Sequence, residues 1–404
     1  MKNAERNILW VSPLIFDVSL HRTAQLELIR SLANKGYHVF LLGMKSKAVF
    51  KLEEKTSKSS FAYTKILQVP IRYSPIIAPV IYSFVTIFLV PIIILRFNPD
   101  FVIVEKGMLS ISVLPSIIIS KFKKTKFILD IRSIPVEVQG FYGALHKFFF
   151  FISVLIAKKI FSGITIVTPM EKKRLCSNFS IDPNRVGVWE NGVNIALFNP
   201  EDWRTQGNEL KAKLGLSGKF VVFYHGYLVS TRGINQVIEA MKIVAKRRSD
   251  VVFFILGSGP LAKHLKLLIK KENIQNIVFV HDPVDYKDVP RFISMCDVGI
   301  SPTPNYPYWW FQSPLNVLEY LSMEKPVLAT DLPLHRRIMS NQKCAIYIAS
   351  ANPEAIAKAI EFAAKNKEKL NDWGKVGRNI ILQNYTWEKI AENFHNYLYQ
   401  LHNT

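Results

Sequence analysis

SPLNVLEYLSMEKPVLATD, Ser313–Asp331, reads as a tight loop, a helix and a strand in immediate succession. Ser313 is placed to cap the helix, and Pro314 suits the first turn, where no backbone donor is needed. Leu315, Leu318 and Leu321 recur at helical spacing and form an apolar face, with Glu319 one turn in and offset from it. Lys325-Pro326 ends the helix, and Val327-Leu328-Ala329-Thr330 then reads as a short buried strand. A helix that opens from a loop presents free N–H groups, here those of Leu315 and Asn316, and the positive end of its dipole. Both favour phosphate. A carboxylate one turn along can accept hydrogen bonds from sugar hydroxyls, so Ser313, Pro314, Leu315, Asn316 and Glu319 suit a nucleotide sugar.

The alternation extends in both directions. FVVFYHG, a helix over Ile234–Arg247, VVFFILG, a helix over Leu261–Lys271, IVFV, a helix over Val289–Met295 and VGIS precede the quoted stretch. Farther forward, NILWV, a helix near Thr23–Lys35, YHVFLLG, a polar loop Leu52–Ser60 and a long apolar helix lead to FVIVE. A helix around Ser110–Phe122, FILDI, a helix through Lys159 and ITIVT follow. Strands that alternate with helices imply parallel sheets covered on both faces, hence an α/β chain of two doubly wound halves. The halves are expected at 1–200 and 201–385, joined by a polar hinge through Glu201–Asn208, with a terminal helix in 386–404 that opens on Thr386 and Glu388.

Ligands of such sheets lie beyond the carboxyl ends of the strands. After the first strand of the second half, HGYLVSTRG (His225–Gly233) offers Gly226 for close backbone approach and Arg232 for a bidentate hold on a diphosphate. ILGSGP (Ile255–Pro260) places Gly257 in a turn, but its spacing is not that of a dinucleotide loop. HDPVDYKDVP (His281–Pro290) has three Asp at three-residue spacing, a pattern better suited to helix capping by Asp285 or Asp288 than to a metal. PNYPYWWFQ (Pro304–Gln312) offers Trp309 and Trp310 as an aromatic wall for a sugar, or as a buried lid. In the first half, His21 and Arg22 follow the first strand. Glu105, Asp130 and Arg132 end the next two; Asp130 and Arg132 either bind an acceptor or pair with each other.

The motif S-P-L-x-x-L-E-Y resembles the nucleotide-sugar motif of glycosyltransferase family 4, and the similarity runs in order through the first strand, the ENGVNIALFNP linker (Glu190–Pro200), HGYLVSTRG and ILGSGP. It implies a GT-B fold, two Rossmann-like domains facing across a cleft, with the terminal helix crossing back to the first. It also implies a retaining, metal-independent transfer from a UDP- or GDP-linked sugar, with no cofactor. Under it, Glu319 holds the donor ribose, Arg232 and Gly226 the diphosphate, Gly257 lies by the nucleotide, and Pro283-Val284 by the base. Arg232, Glu319, Glu105 and Asp130 are then the catalytic candidates, and His21, Arg22, Arg132, Trp309 and Trp310 the acceptor candidates. The chain departs from the family at three places: Phe311 stands for the first Glu, Tyr227 for the first phosphate cation, and Glu105-Lys106-Gly107 for the cleft histidine. Those departures keep open a second reading, a non-catalytic subunit of the same fold that binds a sugar or nucleotide.

The chain has 404 residues, 49% hydrophobic, with a formal net charge of +21, of which residues 1–200 carry +14 from 26 Lys and Arg against 12 Asp and Glu. That basic half also holds Ile76–Leu95, twenty residues without a charge and long enough to span a bilayer. Pro79 and Pro91 interrupt the run, and it leads directly into sheet strands. A helix resting on an anionic membrane face is therefore expected rather than a span, with a lipid-linked saccharide as acceptor and a location on the cytoplasmic side. Nucleic acid is disfavoured, since no zinc-finger spacing, RNP box or basic heptad occurs. Cys176, Cys296 and Cys344 are too few and too widely spaced for a disulfide framework, which suits a reducing cytosol, and Asn7–Leu14 is too short for a secretory signal.

Overall fold

The computed structural model describes residues 6–15, 22–45, 53–56, 64–71, 77–133, 140–340 and 342–403. The first unit holds the chain through Glu190 and again from Trp387 onward; the second is Asn191–Thr386.

In the first unit the elements are β1 (Arg6–Ile15), α1 (Arg22–Ala33), β2 (Tyr37–Lys45), β3 (Glu53–Thr56), β4 (Thr64–Pro70), α2 (Ile77–Phe97), β5 (Phe101–Glu105), α3 (Met108–Ser112) and α4 (Leu114–Lys123). They continue as β6 (Lys126–Ile131), α5 (Gly140–Lys159), β7 (Gly163–Ile166), α6 (Pro169–Phe179) and β8 (Val186–Val188). The sheet order is β3-β4-β2-β1-β5-β6-β7-β8, parallel throughout except that β3 pairs antiparallel with β4 at one edge. The expected loop at Leu52–Ser60 therefore contains a strand. The expected single helix at Ser110–Phe122 is two, because Pro115 in the first turn of α4 cannot continue the α3 hydrogen-bond ladder.

In the second unit the order is α7 (Pro200–Lys213), β9 (Phe220–Tyr227), α8 (Ile234–Ala245), β10 (Val251–Ser258), α9 (Ala262–Lys271), β11 (Val278–His281), α10 (Val289–Met295) and β12 (Val298–Ser301). Then come α11 (Leu315–Ser322), β13 (Val327–Thr330), α12 (Pro333–Met339), β14 (Ala345–Ile348), α13 (Pro353–Lys365) and α14 (Lys367–Asn384). Its sheet is wholly parallel, ordered β11-β10-β9-β12-β13-β14. The polar hinge expected at Glu201–Asn208 is instead the start of α7. Pro200 stands in its first turn, Glu201 and Asp202 follow at the positive end of the dipole, and Lys211 and Lys213 at the negative end.

α15 (Trp387–Asn403) closes the first unit. Its Trp387, Ile390, Ala391, Phe394, Tyr397, Leu398 and Leu401 are buried at helical spacing against β1, β2, β5 and β6. Tyr397 lies where a side chain at Gly163 or Gly187 would collide with its ring, and its hydroxyl accepts from the Ile164 N–H at 3.0 Å. Lys126 donates to the last carbonyls of the helix, Leu401 and His402, satisfying groups the helix leaves open.

α2 runs unbroken through Pro79 and Pro91; Pro79 sits in the first turn, where its missing donor costs nothing. Tyr82, Thr86, Val90 and Ile94 face the sheet, while Val80, Ile81, Phe84, Phe88, Ile92 and Leu95 face outward. α2 and α5 are each long and apolar enough to cross a membrane, yet only 39% and 22% of their most apolar windows are buried. They are not ordinary core helices, which would be covered.

Candidate functional site

Each unit gathers polar side chains at the carboxyl edge of its sheet. In the second unit the quoted motif forms α11 as expected, but its cap differs. Pro314 occupies the N-cap position, and Ser313 does not cap. Its hydroxyl accepts from the Asn191 backbone N–H at 3.3 Å and its carbonyl from the Asn191 side chain at 2.6 Å, tying the motif to the linker. The helix is thus left with unoccupied first-turn donors at Leu315 and Asn316, while the Asn316 side chain accepts from the Val317 N–H.

Glu319 is 2% exposed. Tyr286 donates to one carboxyl oxygen at 2.8 Å, and His225 Nε2 lies 3.2 Å from the other. Burial pushes Glu319 up to about 8, only partly opposed by Tyr286, and burial holds His225 down at about 3. At neutral pH both are uncharged, so this contact is not an ion pair despite its distance. The His225 backbone N–H donates to the Tyr320 hydroxyl at 3.0 Å, which fixes the end of β9 over α11.

Arg232 ends a 3-10 turn, Ser230–Arg232, ahead of α8. Its guanidinium lies 4.7 Å from the centre of the Trp309 ring, and the Trp309 indole N–H donates to the neighbouring Thr231 carbonyl at 3.2 Å. Its charge also draws down the Tyr224 phenol, which burial raises. Its Nε is buried without a partner. The phosphate candidate and the segment leading into α11 are therefore in contact. Trp309 serves that contact with one ring face, and Trp310 donates to Asn305 at 2.7 Å. Gly226 and Gly257 adopt φ values of 135° and 155°, and a Cβ on Gly257 would sit 2.0 Å from the Gly226 carbonyl oxygen. The ends of β9 and β10 meet here backbone to backbone, which only glycine permits.

Pro283 is exposed and Val284 half-buried at the end of β11, before the 3-10 turn that carries Tyr286. Asp285 and Asp288 occupy cap positions, yet neither side chain makes the expected capping bond. Among the described residues no group of three or more His, Cys, Asp or Glu is arranged to hold a metal ion.

In the first unit, β1, β5, β6 and β7 each carry a polar group at or near the carboxyl end. Ser12 donates to Glu105 at 2.5 Å; Thr165 and the Trp189 indole donate to one Asp130 oxygen at 2.8 and 3.0 Å. The other Asp130 oxygen is buried without a partner, as is one oxygen of Glu171 in the first turn of α6. Asp130 and Arg132 therefore do not pair. Arg132 donates to the Trp189 carbonyl at 2.7 Å with its guanidinium 3.3 Å above the Trp189 ring. Lys106 donates to the Ser133 hydroxyl at 2.8 Å. Burial raises Glu105 and Glu171 to about 7 and lowers Lys106 to about 8. His21 lies outside the described residues, and Arg22 is the first residue of α1.

His225, Tyr286, Lys106, Glu171 and Trp189 were not singled out by the sequence. His225 and Lys106 adjoin Gly226 and Glu105, so strand ends were the available signal. Tyr286 and Trp189 carry none, since their roles depend on long-range contact.

Residues 23–197 match the family model described as Glycosyltransferase Family 4, and residues 206–380 the model described as Glycosyl transferases group 1. An uncharacterized glycosyltransferase of Methanocaldococcus jannaschii is 29% identical over 59% of this chain and 57% of its own length. The chain spans 57–63% of the length of the first curated relatives that it matches. A glycosyltransferase from Rickettsia africae superposes with a TM-score of 0.74, at 18% identity, over 99% of this chain and 100% of its own. The Anabaena protein HepE, solved with UDP and glucose, superposes with a TM-score of 0.69, at 14% identity, over 96% and 98%. At these identities the structural likeness establishes the fold.

Proposed function

We propose, on the premise that the chain belongs to the family 4-like glycosyltransferases of GT-B fold, that it transfers a sugar from a nucleoside diphosphate sugar to a saccharide acceptor. The observation that carries this reading is the contact of Arg232 with Trp309 at the approach to α11, with Glu319 one turn inside. As the glycosidic bond breaks, negative charge grows on the diphosphate. Arg232, through its unpartnered Nε, and the N–H groups of Leu315 and Asn316 would stabilise that charge. Gly226 and Gly257 leave room for the phosphates, and Pro283-Val284 borders the base. Glu319, held by Tyr286, receives the ribose hydroxyls. UDP and glucose bound to HepE support a nucleotide-sugar donor of this kind. Retention of configuration and independence of metal and cofactor follow the family resemblance.

For the acceptor, Asp130 and Glu105 would take hydroxyl protons, with Arg132 alongside. The outward apolar faces of α2 and α5 are flanked by Arg96, Lys121, Lys123, Lys124, Lys147, Lys158 and Lys159, and helices α2–α5 contain neither Asp nor Glu. That combination fits the surface of an anionic bilayer on the cytoplasmic side and a lipid-linked saccharide acceptor in cell-surface polysaccharide or glycolipid synthesis. A panel of UDP- and GDP-sugars tests the enzyme: turnover of one donor that Arg232→Ala and Glu319→Ala abolish supports it. Tight nucleotide binding with no turnover of any donor would refute it in favour of a non-catalytic subunit.

A further inference from the structure

We propose that Trp189 is the positioning residue of the acceptor site, a single side chain that sets both Asp130 and Arg132. This rests on the reading that Asp130 and Arg132 face the acceptor. Trp189 follows β8 and is 1% exposed. It uses three separate groups. Its indole N–H donates to Asp130 Oδ1 at 3.0 Å, its ring face carries the Arg132 guanidinium at 3.3 Å, and its carbonyl accepts from Arg132 Nη1 at 2.7 Å. The first contact engages only Oδ1 and leaves Asp130 Oδ2 buried and unpartnered. The other two hold the half-buried Arg132 guanidinium near Asp130, where its charge draws the carboxyl down without a direct hydrogen bond between them.

Trp189 is itself held from behind. Trp10 of β1 meets it edge to face at 5.8 Å between centroids, and Phe394 of α15 lies at 6.1 Å. Trp10 and Phe394 stack at 6.0 Å, so the three rings close on one another. An indole in this position cannot swing away from Asp130 without opening the contact between β1 and α15. The site therefore borrows its rigidity from the C-terminal helix, which the carboxylate itself never touches. Pre-organised partners of this kind matter because a carboxylate must be oriented before a hydroxyl reaches it.

Trp189→Phe keeps a six-membered ring under Arg132 and removes the indole donor together with part of the buried ring. With the best donor from the panel, transfer to n-octyl glucoside, galactoside and N-acetylglucosaminide is compared with donor hydrolysis by water. Loss of a hydrogen bond to a charged group predicts a roughly tenfold rise in acceptor KM, with donor hydrolysis and nucleotide-induced thermal shift unchanged. Burial raises Asp130, and Arg132, then Thr165, then the indole oppose it; removing the indole should therefore also move the acidic limb of the transfer rate to higher pH in the variant. In the Asp130→Asn background, Trp189→Phe should add little, since both act through one contact. Equal losses of transfer and hydrolysis, or no loss of transfer, would overturn the role of Trp189. Transfer insensitive to Asp130→Asn would instead refute the acceptor-site reading beneath it. Should Trp189→Phe fold poorly, Phe394→Leu loosens the ring behind Trp189 without touching the site. It should give the same asymmetry in milder form, and its failure to do so counts equally against the proposal.

Discussion

Replacing Glu319 with Gln isolates the charge state of the carboxyl at the centre of the proposed donor site. Burial lifts Glu319 from 4.5 to about 8. Between those values the folded protein keeps a proton that the unfolded chain releases. The stability due to this group is therefore full below pH 4.5 and is lost as pH rises toward 8. Each unit is worth about 1.4 kcal/mol, so between pH 5 and pH 7.5 the wild type should lose about 3 kcal/mol through this residue. The amide still accepts from Tyr286 and can donate to the neutral His225 ring, but has nothing to titrate. Glu105 and Glu171 titrate in a similar window and His335 in the opposite sense, yet they are common to both proteins and cancel in the difference. Urea unfolding of both proteins at pH 5 and 7.5, with ligand omitted, reads that difference. The variant should gain about 3 kcal/mol on the wild type as pH rises. A gap equal at the two pH values would mean that Glu319 is already ionised in the folded protein and paired with a charged His225, and the reasoning would fall.

Gly257→Ala should cost about 2–4 kcal/mol and abolish nucleotide binding, because φ of 155° disfavours any Cβ and this one meets the Gly226 carbonyl; calorimetry with UDP and GDP checks it. Tyr397→Phe should destabilise the first unit by about 1–3 kcal/mol, measured by denaturant unfolding, since the buried Ile164 N–H loses its partner. Phe84 and Phe88 are 62% and 58% exposed on α2. Changing both to Ser should weaken binding to phosphatidylglycerol vesicles by roughly tenfold or more in a flotation assay. Equal recovery of variant and wild type with the vesicles would remove α2 from the membrane contact.

The strands of the second half were legible because buried parallel strands are short apolar runs that end in turns: VGIS and Val289–Met295 were read to the residue. α7 reads as a hinge from sequence because its composition is polar and it buries few residues, leaving little periodicity to see. β4, α6, β8 and the elements from α12 to α14 do not stand out in the sequence pattern. β8 is three residues long, which no pattern specifies. In the candidate site, the proposed phosphate loop, the glycine turn and Glu319 are visible as local motifs. The partners of Glu319 were not, because Tyr286 and His225 reach it across 33 and 94 positions of chain. Ser313 looked like a cap from its residue type, but Asn191 competes for the same oxygen.

The return of α15 to the first unit has a consequence for biosynthesis. The sheet of the first unit emerges from the ribosome ahead of the second unit, yet Trp10, Ile103 and Ile128 on one of its faces await a cover, α15, that is translated only after that second unit. At about 5–20 residues per second, that face stays bare for many seconds while the second unit is made. Premature termination between the codons for Trp387 and Asn403 would thus release a chain with a complete second unit and an unfinished first unit, sticky and a ready target for proteolysis.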